Sequence, residues 1–315
     1  MSEHEQAAIE VPGLGALRPL PGGYSGRAFL AETGGERSVV RLFAPDDPQA
    51  PLVAGAVLRR AAGLVAGVPE VLEVRAGDAA CDVPGLLVTS WLPGEHGADV
   101  WPTLDDVEAA DLARRLARLL ARLASAPLPS AGRFVDADLR VEPWPEPWDD
   151  LGYAVRALAP GLHDWDREER TGLDALVEQA EDALDEPLAV PTGSVLVHAD
   201  LNPKNLLLAR TPEGVRVTGV LDWEFAHAGQ PESDLGNLLR HEARPAFVEP
   251  LLDLYADLRG EPVGLLRDRA RALDLLPLVE LAARAQRHAP AERADAVLRA
   301  CARARDLHAA PAPVH

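Results

Sequence analysis

Residues 195–234, VLVHADLNPKNLLLARTPEGVRVTGVLDWEFAHAGQPESD, leave the chain little choice of local structure. A short apolar run, Val195-Leu196-Val197, ends on His198-Ala199-Asp200, and Asn205 follows five residues after the aspartate. Two further apolar runs, Leu206 to Arg210 and Val215 to Leu221, flank Thr211-Pro212-Glu213-Gly214, a tetrapeptide suited to closing a hairpin. With Arg210 opposite Val215, counting back along the ladder sets Asn205 opposite Val220. Asp222 then leaves the hairpin at the same end as Asn205 and the Asp200 loop, so one amide and two carboxylates converge. Hard oxygen donors suit Mg2+, and a carboxylate beside them can take the proton of an attacking hydroxyl. Together these are the requirements of phosphoryl transfer from a magnesium nucleotide. Asp200 is expected as the base and Asn205 and Asp222 as metal ligands, while His198 is expected to support the loop.

His198-Ala199-Asp200 with Asn205, then Leu221-Asp222-Trp223, then Asp234-Leu235-Gly236, resembles the catalytic core of the aminoglycoside phosphotransferase and choline kinase superfamily, which shares the protein-kinase fold. The resemblance implies an α+β, bilobal protein-kinase-like fold with a β-rich N-lobe and a helical C-lobe. It implies that Asp234 is a structural acid that fixes the catalytic loop through its backbone. Lys204, the single lysine of the chain, falls between Asp200 and Asn205, where a compact ammonium can offset phosphate charge.

Ahead of this core, residues 1–16 read as a lead-in of low order, and from Leu17 the text alternates strands with Gly-rich turns. Gly22-Gly23-Tyr24-Ser25-Gly26 contains no bulky Cβ at its glycines, so its backbone N–H groups, Gly23 and Ser25 among them, can approach a triphosphate. Arg41, in the strand Ser38 to Phe43, stands where the related kinases carry a phosphate-pairing lysine. In that family a glutamate on the following helix orients the cation, yet the matching stretch here, Leu52 to Ala66, contains no acid. By the same resemblance Gly85 to Gly94 is the strand leading into the interlobe hinge. Ser90 and Leu92 would offer backbone groups to adenine, and Thr89 would lie behind the ring.

Beyond the hinge the period changes to that of helices. Thr103 is expected to cap a helix with Asp106 three residues on, and Leu112, Leu116, Leu119, Leu120 and Leu123 recur on one face. Arg114, Arg115, Arg118 and Arg122 cover the other face, a solvated surface rather than an RNA site. Between Phe134 and Trp165, Trp144, Trp148 and Trp165 stand among carboxylates and prolines. Such faces suit an ammonium-bearing or sugar-like acceptor, and equally a loop stapled to its helices. Glu224 is expected either to contact an acceptor amine or to cap a turn. From Pro245 to His308 the chain reads as helical.

A formal net charge of -19 argues against nucleic-acid and anionic-membrane partners, and Cys81 and Cys301 cannot supply a disulfide framework. The N-terminus MSEHEQAAIE has no basic segment followed by an apolar one and no apolar run approaches the roughly 18 residues of a membrane span, so a soluble cytoplasmic protein is expected; a monomer or homodimer is expected as its state. The division is expected as 1–16, an N-lobe over 17–93 and a C-lobe over 94–315. The function expected is transfer of the γ-phosphoryl group of ATP or GTP, with Mg2+, to a hydroxyl of a small polar or cationic molecule such as an antibiotic. An amino-alcohol or sugar kinase, and a catalytically degenerate pseudokinase, remain as alternatives.

Overall fold

A computed structural model describes residues 9–11, 15–20, 27–190, 193–284 and 289–309. The first part is a six-stranded antiparallel sheet built from β1 (Ile9–Val11), β2 (Gly15–Pro19), β3 (Arg27–Thr33), β4 (Glu36–Phe43), β5 (Val71–Arg75) and β6 (Gly85–Ser90), in the order β1-β2-β3-β4-β6-β5. Ile9–Val11, expected within a lead-in of low order, instead pairs with Gly15–Leu17 as a hairpin arm. The remainder of that lead-in, residues 1–8 and 12–14, lies outside the described residues. Leu17, Phe29, Ala31, Val40, Leu86 and Val88 form a small core under the sheet. Helix α1 (Ala50–Ala62) packs on β5 and β6 and carries no acid in its first turn, with Arg59 and Arg60 in its last.

The chain crosses at Pro93-Gly94 and joins the second part through β7 (Glu95–His96), which pairs with the site hairpin, and the single turn α2 (Gly97–Val100). Helix α3 (Asp106–Leu123) follows. Its cap is Asp105 and not Thr103: the Asp105 side chain accepts from Val107 and Glu108 N–H, while Glu108 accepts the Asp105 N–H in return. Asp105 directly precedes the first helical residue, whereas Thr103 ends the preceding turn Trp101–Thr103, where its hydroxyl donates to the Val100 carbonyl. A small hairpin, β8 (Arg133–Phe134) with β9 (Val141–Glu142), leads into α4 (Leu151–Leu158) and α5 (Arg167–Asp185). Next come β10 (Val195–Val197), β11 (Leu206–Thr211), β12 (Gly214–Val220) and β13 (His227–Gly229), then α6 (Glu232–His241), α7 (Pro245–Arg259), α8 (Val263–Ala282) and α9 (Ala289–Ala304).

Two apolar clusters hold this second part. The larger runs from Val57, Leu58 and Leu87 through α3 and β11 to Phe247 and Tyr255, so it joins α1 and β6 to the helical part. The other is made by α5, α8 and α9 and encloses Trp165, whose Nε1–H donates to Asp295 at 2.8 Å. Of the two uses open to Trp165, the structure shows the stapling one. No helix among the described residues is long and apolar enough to cross a membrane.

Candidate active site

The site hairpin, β11 with β12, has the expected pair Arg210 and Val215 at its turn end. Nearer the site the register differs from simple counting. Leu208 pairs with Val217 but Leu207 with Gly219, so Thr218 is an extra residue, and Val220 meets Leu206 rather than Asn205. A β-bulge of this kind adds local twist and re-aims the strand end. Asn205 therefore stands opposite Leu221, whose N–H donates to its carbonyl at 2.8 Å, and Asp222 emerges one residue beyond. Asp222 adopts φ 60, ψ 63, a left-handed conformation that is uncommon outside glycine and that aspartate tolerates better than most residues.

Asp200 and Asn205 are in direct contact. Asn205 Nδ2 donates to Asp200 Oδ2 at 2.8 Å and to its carbonyl at 2.9 Å, while Asn202 Nδ2 donates to Oδ1 at 2.9 Å. With Nδ2 so committed, Asn205 presents Oδ1 elsewhere. Burial pushes the Asp200 carboxyl above the usual carboxylate range against these two amides and the Arg240 charge, and Glu224 adds to the rise. Burial also pushes Asp222 up, helped by Glu224 and Asp200 and opposed by Arg41. Lys204 sits exposed on the short turn Pro203–Asn205, whose start is capped by Asn202.

The loop that holds Asp200 is fixed from helix α6. Asp234 accepts the N–H of His198 and the N–H of Ala199, both at 2.8 Å, and Asn237 Oδ1 accepts that of Leu201 at 3.0 Å. Asp234 and Asn237 are three residues apart and so share one face of the helix. The fully buried His198 ring lies 2.8 Å from the Leu221 carbonyl through Nε2 and accepts the Asp200 N–H on Nδ1. Only the neutral tautomer protonated on Nε2 satisfies both contacts, and burial holds its pKa below the usual value. Trp223, buried against the His198 ring with centroids 4.6 Å apart, pins the turn after Asp222. Gly236 allows α6 to lie against α8: a Cβ there would come 2.4 Å from the Ala270 carbonyl.

Arg41 reaches across the cleft. Its Nη2 donates to Glu224, and its Nη1 lies 3.6 Å from Asp222 Oδ1. Glu224, expected at an acceptor amine or as a turn cap, is instead the partner of this guanidinium. Thr89 is buried between Val39 and Val71, and the Ser90 N–H and Oγ are both engaged by the Glu70 backbone, each at 2.9 Å. Leu92 follows in the connection to β7. Gly23 and Ser25 fall at 21–26, outside the described residues. Trp144 is 40% exposed and meets His227 edge-on at 5.6 Å, on the strand that continues from the Asp222 turn. Trp148 instead packs edge-on against Tyr153 at 5.6 Å.

Asn202 and Asn237 are not singled out by the sequence, and Glu224 is singled out without its partner. Asn237 carried a signal, the i,i+3 spacing from Asp234 on a helix. The role of Glu224 toward Arg41 carried none, since the contact spans 183 residues.

Comparison with known proteins places these features in context. A family model described as the phosphotransferase enzyme family matches residues 16–263. The aminoglycoside 3'-phosphotransferase of Streptomyces fradiae is 32% identical over 247 residues, 74% of this chain and 85% of that protein. The viomycin phosphotransferase of Streptomyces vinaceus is 36% identical over 187 residues, 57% of this chain and 58% of that protein. Among solved structures, a thermostable mutant of aminoglycoside phosphotransferase APH(4)-Ia, in a ternary complex with AMP-PNP and hygromycin B, matches with TM-score 0.64 at 21% identity, covering 91% of this chain and 93% of that one. The GDP and kanamycin complex of APH(2")-IIia matches with TM-score 0.64 at 18% identity, covering 92% and 94%. These last two likenesses establish the fold.

Proposed function

The chain belongs to the phosphotransferase enzyme family, is an ATP-dependent small-molecule kinase, and from that premise we propose how its residues divide the work. Asp200 orients the acceptor hydroxyl and takes its proton. Two amides hold the carboxylate, and burial raises its pKa, which makes it a better base than an exposed aspartate. The observation that carries this assignment is the convergence of Asp200, Asn205 and Asp222, with Arg41 reaching Asp222 from the opposite strand.

Asn205 Oδ1 and the Asp222 carboxylate are the donors that would hold Mg2+. The set fits: both are hard oxygens and Asp222 is 42% exposed at its side chain. Two protein donors would leave the remaining positions to phosphate oxygens and water. When bound, the cation neutralises charge on the β- and γ-phosphates. Arg41 and Lys204 add positive charge on either side of the same space, which favours the transition state wherever negative charge moves onto the leaving group. At the hinge, the Ser90 carbonyl and the Leu92 N–H would meet adenine, since the Ser90 N–H is already committed. Thr89 backs the ring.

The acceptor is a hydroxyl-bearing antibiotic of polar, cationic type. Two relatives named for such compounds support this, as do exposed Trp144, edge-on to His227, and exposed Phe225, next in the chain to Glu224. Trp148, turned onto Tyr153, is the less direct candidate. The degenerate alternative loses its main support once Arg41 is seen to have a carboxylate partner across the cleft. The test is acceptor-dependent ADP release with MgATP against aminoglycosides, cyclic-peptide antibiotics, amino alcohols and sugars. Release with one class, reduced at least about a thousandfold in Asp200→Ala and in Asp222→Ala, is expected. Near-normal turnover in either variant overturns the assignment.

A further inference from the structure

Arg41 cannot act on a phosphate unless its guanidinium is aimed, and a strand residue facing a cleft has four torsions to fix. Helix α1, the helix packed on the same sheet, reads APLVAGAVLRRAA and offers it no acid. The aim comes from the other side of the cleft. Phe43, two residues along β4 and so on the same face, lies with its ring centroid 5.4 Å from the guanidinium carbon. Glu224 binds Nη2, and Asp222 stands 3.6 Å from Nη1. The turn that carries both carboxylates is itself fixed, because buried Trp223 between them donates Nε1–H to the Val220 carbonyl at 2.9 Å.

We propose that Glu224 is the positioning residue for Arg41, replacing from the helical part the acid that α1 lacks, and that this is why position 41 is arginine. The inference rests on the kinase assignment above. Electrostatics supports it independently of any resemblance. Asp200, Asp222 and Glu224 already crowd one side of a space that must accept a polyphosphate, and a third carboxylate there opposes nucleotide binding unless it fixes a cation. The side chains of Arg41 and Glu224 are 24% and 14% exposed, so the pair is sheltered enough to hold one geometry. A guanidinium presents five donors in a planar fork and can bind Glu224 along one edge and phosphate along another. A lysine here has a shorter reach and must serve both partners from one nitrogen, without the planar fork, so Arg41→Lys is not a conservative change.

The test is a double-mutant cycle of Glu224→Gln, Arg41→Met and their combination. It is read as KM for ATP, kcat and KM for the acceptor, and separately as the affinity for MgAMP-PNP by calorimetry. Glu224→Gln is expected to lower kcat/KM for ATP at least tenfold and to weaken MgAMP-PNP at least threefold, with the acceptor KM unchanged. In the Arg41→Met background the same substitution is expected to change neither quantity by more than twofold. Glu224→Asp, one methylene shorter, is expected to fall between Gln and wild type. Independent, multiplicative losses overturn the proposal, and so does a shift confined to the acceptor KM, which would make Glu224 an acceptor contact. Tighter MgAMP-PNP binding in Glu224→Gln also overturns it, by showing simple repulsion. The calorimetric arm needs no acceptor and no turnover. A protein that binds MgAMP-PNP with the expected coupling but releases no ADP would therefore refute the kinase assignment and not the Arg41–Glu224 relation.

Discussion

At the scale of single residues, the site is built by fixing backbone atoms, and the side chains that do so are buried and satisfied. His198 is the clearest case. It holds the Leu221 carbonyl and the Asp200 N–H only as a neutral ring, and burial keeps its folded pKa below the ordinary value near 6.5. Its contribution to stability is thus complete above about pH 6.5, where the unfolded ring is also neutral, and is lost as the pH falls from there towards the folded pKa, because only the unfolded chain takes up the proton. His198→Gln removes that proton uptake while keeping a donor and an acceptor. Urea unfolding between pH 7.5 and 5.5 should show the wild type losing stability more steeply than the variant, the difference approaching about 1.4 kcal/mol per pH unit. Equal slopes would mean that the ring is not held neutral. His198, Asp200, Asn205, Asp222 and Asp234 could all be picked out of the sequence because their chemistry is local to one stretch of chain. Glu224 could be seen but not assigned, since its partner Arg41 lies on a different element and no spacing rule connects them.

At the scale of elements, the hairpin and the helix beneath it decide whether those residues meet. The turn at Thr211–Gly214 and the pairing of Arg210 with Val215 follow from turn chemistry and period-2 alternation, both of which the sequence displays. The bulge at Thr218 does not follow from either, because an extra residue in one strand leaves the alternation readable on both sides of it. The cap of α3 lies two residues beyond Thr103 for a similar reason: several short polar side chains stand together there, and only the fold selects Asp105 among them. Helix α6 presents Asp234 and Asn237 to the loop only while it lies close against α8, and Gly236 sits at that crossing. Gly236→Ala places a Cβ against the Ala270 carbonyl, backbone that cannot rotate away. The variant should lose about 1–3 kcal/mol in chemical denaturation and a larger share of kcat than of ATP affinity, since the displaced atoms belong to the catalytic loop. Full stability in that variant would show that the crossing has slack.

At the scale of the whole molecule, we propose that the division falls at Pro93–Gly94, where the chain leaves the six-stranded sheet and enters β7. The lobes so defined share an apolar cluster that runs from Val57, Leu58 and Leu87 into α3 and α7, and they face each other polar to polar through Arg41 and the Asp222 turn. A nucleotide held between the hinge and Asp222 would bind the folded, closed arrangement alone. MgAMP-PNP at a hundred times its Kd should therefore raise unfolding free energy by about 2.7 kcal/mol, seen as a rise in thermal midpoint. Asp222→Ala should lose most of that rise at the same ligand concentration, and an undiminished rise would remove Asp222 from the nucleotide site. The bilobal outline was legible in the sequence, since a change of period from 2 to 3.6 marks it. The long-range pairings were not, because they depend on how two lobes close. The placement of the tryptophans has an optical consequence. Trp101, Trp165 and Trp223 are sealed in the interior, whereas Trp144 stands 40% exposed at the edge of His227. Its emission shares the part of the spectrum open to solvent quenchers with exposed Trp148 and half-buried Trp91, so an acceptor that covers Trp144 would blue-shift and shield a fraction of that component, and Trp144→Phe would remove that fraction, a label-free signal of occupancy already written into the chain.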